Sequence, residues 1–222
     1  MDWIFIGYFI YHSFNINLSQ IHTYKTLKTR SESLMKEKGS KFFGYAFPVS
    51  DEEEVKLCLE ELRVKHNDAR HHCYGYRLGI GKEERYRAND DGEPSNSAGK
   101  PIYGQLLSTD ITNVLIVVVR YFGGVKLGVG GLISAYKLSA KETIDTGEII
   151  NKKEQNYHQI DFNYTVMSPV MNFVKQQKLD VTKQVFENSC LIQFCCDIES
   201  SDSLIYQLEE IEGVEVKFLF KK

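Results

Sequence analysis

The sequence predicts an α+β protein built from two unlike domains, and three observations carry that prediction. The chain has 222 residues, long enough for two domains of ordinary size. An apolar run, Val114-Leu115-Ile116-Val117-Val118-Val119, passes directly into a glycine-rich loop and then into a helical pattern, which is the layout of a buried strand, a turn and a covering helix. From Ile160 to Phe220 the hydrophobic period changes in the order β-α-β-β-α-β, the split βαβ or ferredoxin-like arrangement.

Taken in order, residues 1–22 show neither strand alternation nor a helical stripe and are expected to be an N-terminal extension. The apolar part, Trp3 to Tyr11, is too short to span a bilayer and lacks the basic flank of a signal peptide. An N-terminal domain is expected over 23–147. It opens with a polar stretch to Gly39, then a strand from Lys41 to Val49, then a helix capped by Ser50 with Glu53 in the capping-box position. That helix carries Val55, Leu59 and Leu62 on one stripe and ends near His66. A strand from Ala69 to Leu78 pairs with one from Arg85 to Ala88, and residues 89–100 form a loop of turn formers and charges. A short helix from Pro101 to Leu107 precedes the central strand Asn113 to Phe122. The loop Gly123 to Gly131 follows, and then a helix from Leu132 to Thr146 with Leu132, Ala135, Tyr136, Ser139 and Ala140 at packing spacing.

Gly147 to Tyr157 is a polar break and the expected boundary, with the C-terminal domain over 157–222. There, Ile160 and Phe162 alternate, Val170 and Val174 lie on a helical stripe, Val181 to Phe186 reads as a strand, and Ile192, Phe194 and Cys196 alternate again. Leu204 and Leu208 are helical, and Val214 to Phe220 is the last strand.

Composition excludes several classes. With 42% hydrophobic and 26% charged residues the chain is globular, neither disordered nor of low complexity. A net charge of -3 draws in no polyanion from a distance, so nucleic-acid binding must use a local patch. The arginines all lie at or before Arg120. Five cysteines with no C-x-x-C pair suggest neither a disulfide framework nor a zinc ribbon, and point to a reducing, cytoplasmic setting. Cys190, Cys195 and Cys196 sit in an apolar strand and read as core.

The glycine loop is the strongest chemical signal. Glycines at 123, 124, 128, 130 and 131, between a buried strand and a helix, present backbone N–H groups and the positive end of a helix dipole to an anion. Arg120 and Lys126 flank them, and Arg85, Arg87 and Lys100 are further candidates for contacting phosphate or RNA. Tyr74 and Tyr76 among the arginines of the hairpin suit base stacking, or else form part of an ordinary sheet face. The loop completes neither a P-loop nor a dinucleotide fingerprint, and its glycines equally permit close packing of helix on strand. Asp90, Asp91 and Glu93 form an acidic loop with the spacing of a turn rather than of a calcium site. His71 and Cys73 share a strand face, but two ligands make no zinc site. No catalytic residue, metal or cofactor is expected.

Several separate strings carry a resemblance: Ala69-Arg-His-His-Cys-Tyr-Gly-Tyr76, Asn89-Asp-Asp-Gly-Glu-Pro94, Ala98-Gly-Lys-Pro101, Val118-Val-Arg-Tyr-Phe-Gly-Gly-Val-Lys-Leu-Gly128, Gly130-Gly-Leu132 and Ala135-Tyr136. Together they resemble the IMPACT family, in its bacterial YigZ branch, over about residues 23 to 145. Asn96-Ser97 departs from the family pattern, where Gly-Thr is expected, and the first 22 residues have no counterpart. The resemblance implies a ribosomal-protein-like left-handed βαβ domain followed by a ferredoxin-like domain similar to one of elongation factor G. The eukaryotic relatives of that family act in translational control, and the resemblance implies no reaction. The expectation is therefore a translation-associated regulatory protein that binds RNA or the ribosome, with no membrane and no DNA sequence specificity. A sensor or enzyme for a small phosphorylated ligand at the glycine loop, and a protein-interaction scaffold using the acidic loop, are the two alternatives.

Overall fold

A computed structural model describes residues 22–187 and 189–222; the expected extension lies outside these residues apart from His22. The described chain divides into two compact units, Tyr24–Lys152 and Lys153–Lys222, the second joined by the described residues before Tyr24.

The first unit is organised around the apolar run of the central strand. Its five-stranded sheet contains β2 (Ser31–Glu37), β3 (Ser40–Pro48), β4 (His71–Leu78), β5 (Arg85–Asn89) and β6 (Val114–Tyr121), in the order β2-β3-β6-β4-β5. Every neighbouring pair is antiparallel. Residues 114–119 have no exposed surface, as a strand covered on both faces requires. Side chains alternate across it. Leu115, Val117 and Val119 pack with Tyr45, Phe47, Tyr74 and Tyr76 beneath α1 (Glu52–Lys65). Val114, Ile116 and Val118 pack with Phe42, Cys73, Ile102 and Tyr136 beneath α2 (Gly99–Thr109) and α3 (Gly128–Asp145). All five residues expected to pack on α3, Leu132, Ala135, Tyr136, Ser139 and Ala140, are buried. Separately, β1 (Thr23–Leu27) pairs with β7 (Ile149–Lys153).

Four expectations change in detail. The N-cap of α1 is Asp51, whose carboxylate accepts from the Glu54 amide at 2.9 Å, while Glu54 Oε2 accepts from the Ser50 amide at 2.7 Å. The reciprocal cap is thus built one residue later than the Ser50 reading, with a carboxylate in place of the hydroxyl. The polar stretch before Gly39 contains β1 and β2; β2 is an edge strand exposed along one side, so its sequence carries only a weak apolar signal. α3 starts at Gly128, so Gly128, Gly130 and Gly131 belong to its first turn and the loop proper is 122–127. Gly147 to Tyr157 is β7 and the start of β8 rather than irregular chain, because extended polar residues pair as readily as apolar ones once a partner strand is beside them.

The second unit follows the expected element order. β8 (Gln155–Phe162), α4 (Met167–Gln176), β9 (Asp180–Phe186), β10 (Cys190–Asp197), α5 (Ile198–Glu209) and β11 (Val214–Lys221) form an antiparallel sheet ordered β11-β8-β10-β9. Its core joins Ile160, Phe162, Ile192, Phe194, Val170, Leu204 and Leu208. Cys190 and Cys196 are core residues, and Cys195, also buried, donates from the opposite face to Asp180 Oδ2 at 3.5 Å. Among the described residues, no helix is long and apolar enough to cross a membrane.

Candidate functional site

The sheet register places both chemically loaded loops of the first unit at one end. Arg120, at the end of β6, pairs with Phe42 on one side and with His71, the first residue of β4, on the other. The glycine loop leaves β6 at this end, and the acidic loop crosses from β5 to α2 above His71.

The acidic loop spends its carboxylates on its own fold. Asp90 Oδ1 accepts from the amides of Ala98 and Gly99 at 2.9 and 2.8 Å, and Oδ2 accepts from the Asn96 amide at 2.7 Å. An anionic side chain thus fills the N-terminus of α2. Asp91 Oδ2 accepts from the His72 amide at 2.7 Å, and the Asp91 carbonyl accepts from His71 Nδ1 at 2.9 Å. Gly92 turns the chain with φ +87 and Asn96 with φ +62. Asparagine tolerates that left-handed value better than most residues, which accounts for its standing where glycine was expected.

Glu93 ties the loop down. Its Oε1 accepts from Arg120 Nη1 at 2.7 Å and from the Tyr136 hydroxyl at 2.8 Å. Cys73 Sγ donates toward the Tyr136 oxygen at 3.3 Å and lies 3.0 Å from the Asp90 carbonyl. Burial pushes the Cys73 thiol up, which favours the protonated form that these two contacts use. Burial likewise pushes the Tyr136 phenol up. The separate motif strings of the sequence therefore converge: β4 supplies Cys73, the acidic loop Asp90 and Glu93, β6 Arg120, and α3 Tyr136.

This arrangement revises the role given to Arg120. The residue is 7% exposed, and its guanidinium is held by Glu93 rather than offered to a ligand. Asp90, Asp91 and Glu93 each have a hydrogen-bond partner within the first unit. Among the described residues, no group of three or more His, Cys, Asp or Glu side chains is placed to hold a metal ion.

The glycine loop is differently disposed. Residues 122–126 are exposed, Gly124 and Gly128 take φ values of +89 and +73, and α3 begins without a side-chain cap or an acidic residue in its first turn. Gly123 passes so close to the β2–β3 turn that a methyl group there would collide with the Gly39 carbonyl carbon. Its amide donates to Ser40 Oγ at 3.2 Å. That turn, Lys38-Gly39, has positive φ at both residues, as a tight two-residue hairpin demands. It brings Lys38 beside the glycine loop, with Lys36 and Lys41 flanking it at the same end of the sheet. Lys36, Lys38, Lys41 and Lys126 are exposed, and among the described residues none has an ion-pair partner; Glu37 lies in the same turn.

The hairpin candidates fall elsewhere. Arg85 pairs with Leu78, seven residues along β4 from His71, so it lies about 23 Å along the strand from the glycine loop. Arg87, on the same edge strand β5, pairs with Tyr76 of β4. Both arginines are exposed, as is Lys100 in the first turn of α2. Tyr74 and Tyr76 are buried beneath α1 with ring centroids 6.5 Å apart, so neither offers a face to a base. Sequence reasoning missed the Lys36, Lys38 and Lys41 cluster; the alternation of lysines around a Lys-Gly turn was its signal.

The profile of the Impact N-terminal domain matches residues 38–144, a span holding the glycine loop, the acidic loop and the buried network. The IMPACT family member YvyE of Bacillus subtilis is 32% identical over 158 residues, 71% of this chain and 72% of its own. The IMPACT family member YigZ of Escherichia coli is 40% identical over 100 residues, 45% of this chain and 49% of its own. A crystal structure of a hypothetical protein shares the fold with a TM-score of 0.68 at 22% identity, over 90% of this chain and 98% of that one. The chain is thus an α+β protein of two units that carries an Impact N-terminal domain. It belongs to the IMPACT family.

Proposed function

We propose that this protein is a translation-associated regulatory protein that binds RNA or the ribosome, taking the phosphate backbone at the glycine loop of its first unit. The observation that supports the reading most directly is a contrast between two helix starts at one end of one sheet. The α2 start is filled by the Asp90 carboxylate, whereas the α3 start carries no capping side chain and opens beside Lys126 and Lys38. Backbone N–H groups at a helix start and nearby ammonium groups are the donors a phosphate needs. The local excess of lysines supplies what the net charge of -3 does not. Family membership supports the link to translation that the sequence resemblance implies.

Co-sedimentation with ribosomal subunits across a salt series tests the reading. Wild-type binding weakens as salt rises, with a slope set by the number of phosphates neutralised. Lys126→Ala and Lys38→Ala each lower that slope by about one and leave the fold intact, since both side chains are exposed. No sedimentation at any salt concentration, or variants that bind with the wild-type slope, would refute it.

A further inference from the structure

The least explained side chain at this end of the sheet is Phe122. It follows the last residue of β6, and it is 60% exposed although the strand before it is buried. Val125 and Val129, on either side of Lys126, are also more than half exposed. An apolar ring in water at the mouth of a basic loop has no role in the core, whose residues on both faces of β6 are accounted for without it.

The ring is nonetheless held from below. The Arg120 guanidinium lies 5.7 Å from its centroid, within the range of a cation–π contact, and 5.6 Å from the Phe42 ring on its other partner. Glu93 in turn fixes that guanidinium through a 2.7 Å bond. One face of Phe122 is therefore backed by a guanidinium already paired with Glu93, and the adjoining turns carry Lys126 and Lys38, neither of which has an ion-pair partner among the described residues, against the single exposed carboxylate of Glu37.

Resting on the reading that this loop contacts RNA phosphate, we propose that the RNA is single-stranded and that Phe122 stacks one of its unpaired bases. The charge around the ring complements a polyanion. Bases in a duplex are already stacked on each other and offer an exposed ring nothing, whereas an unpaired base presents a flat face. Phosphate contact and stacking within a few residues of each other is the combination that single-strand binders use. The buried Arg120–Glu93 pair acquires a role through this arrangement: Arg120 is a positioning residue for the ring rather than a ligand for phosphate.

The experiment is fluorescence anisotropy with a labelled single-stranded RNA and a blunt duplex of the same length, using the full chain at low salt. Wild type favours the single strand. Phe122→Ala lowers single-strand affinity by about 5- to 150-fold, the range of one lost stacked base, and leaves duplex affinity unchanged. Phe122→Trp retains single-strand binding, and its indole fluorescence is quenched by the single strand and not by the duplex. Equal wild-type affinity for both forms, or a Phe122→Ala variant that binds the single strand normally, overturns this inference while the phosphate reading stands. Absence of binding to either RNA overturns the phosphate reading first, and this inference with it. Circular dichroism of the variants excludes loss of fold as a cause.

Discussion

Glu93 and Arg120 show how one buried contact reorganises the reading of several residues. An ion pair with side chains 4% and 8% exposed is costly to break from one side, because the remaining charge is left in a poorly hydrated site. Glu93→Ala and Arg120→Ala are each expected to destabilise the protein by about 3–5 kcal/mol in urea unfolding. The double replacement Glu93→Leu/Arg120→Met is expected to lose far less than the sum, since it removes both charges together. Additive losses would show that the two side chains do not depend on one another. The aromatic partner Tyr136 was legible as a packing residue from its helical spacing, but its hydroxyl contact with Glu93 was not, because spacing along a helix says nothing about a loop 43 residues away.

Among the elements, the β2–β3 hairpin and the glycine loop act as a pair. Their backbones meet at Gly39 and Gly123, where no side chain fits, and Ser40 caps the Gly123 amide. Gly123→Ala is expected to destabilise the first unit by at least the 1–3 kcal/mol of ordinary overpacking, because the obstacle is rigid backbone. Thermal unfolding measures the loss, and a variant as stable as wild type would show that the two turns separate freely. Gly124→Ala meets no neighbouring atom and is strained only by its φ of +89. The contrast between the two variants separates steric from conformational need. The close approach also explains why lysines distant in sequence from Lys126 gather beside it.

At the scale of the whole molecule, three buried histidines among the described residues have a proton affinity lowered mainly by burial: His66 and His72 in the first unit and His158 in the second. Lys65 adds to the effect at His66, while Asp91 opposes it at His72 and Asp202 at His158. His66 bridges the Tyr45 and Tyr121 hydroxyls at 2.8 and 2.9 Å, and His158 Nε2 meets Ser201 Oγ at 2.9 Å. Each histidine binds a proton more readily in the unfolded chain, near pH 6.5, than in the folded one. Their contribution is complete above that pH and declines as pH falls through it. Urea midpoints are therefore expected to drop between pH 7.5 and pH 5.5, and an unchanged midpoint would contradict the lowered proton affinities.

Local pattern carried much of the architecture. The apolar run of β6, the helical stripe of α3 and the period changes from Ile160 to Phe220 each depend on residues close in sequence, so the central strand, its covering helix and the order of the second unit were legible from the sequence by itself. So was the turn chemistry of the acidic loop, where Asn89 Oδ1 accepts from the Asp91 amide and Gly92 takes a left-handed φ, because both are local events. The tertiary structure alone decided which charges are free. Arg120 and Lys126 look alike along the chain, yet the β4–β6 ladder and the acidic loop bury one against Glu93 and leave the other in solvent. Tyr74 and Tyr76 read equally as stacking platforms or as part of a sheet face until α1 is laid over them. A side chain's availability is set by what long-range strand pairing places beside it, and no local period encodes that partner.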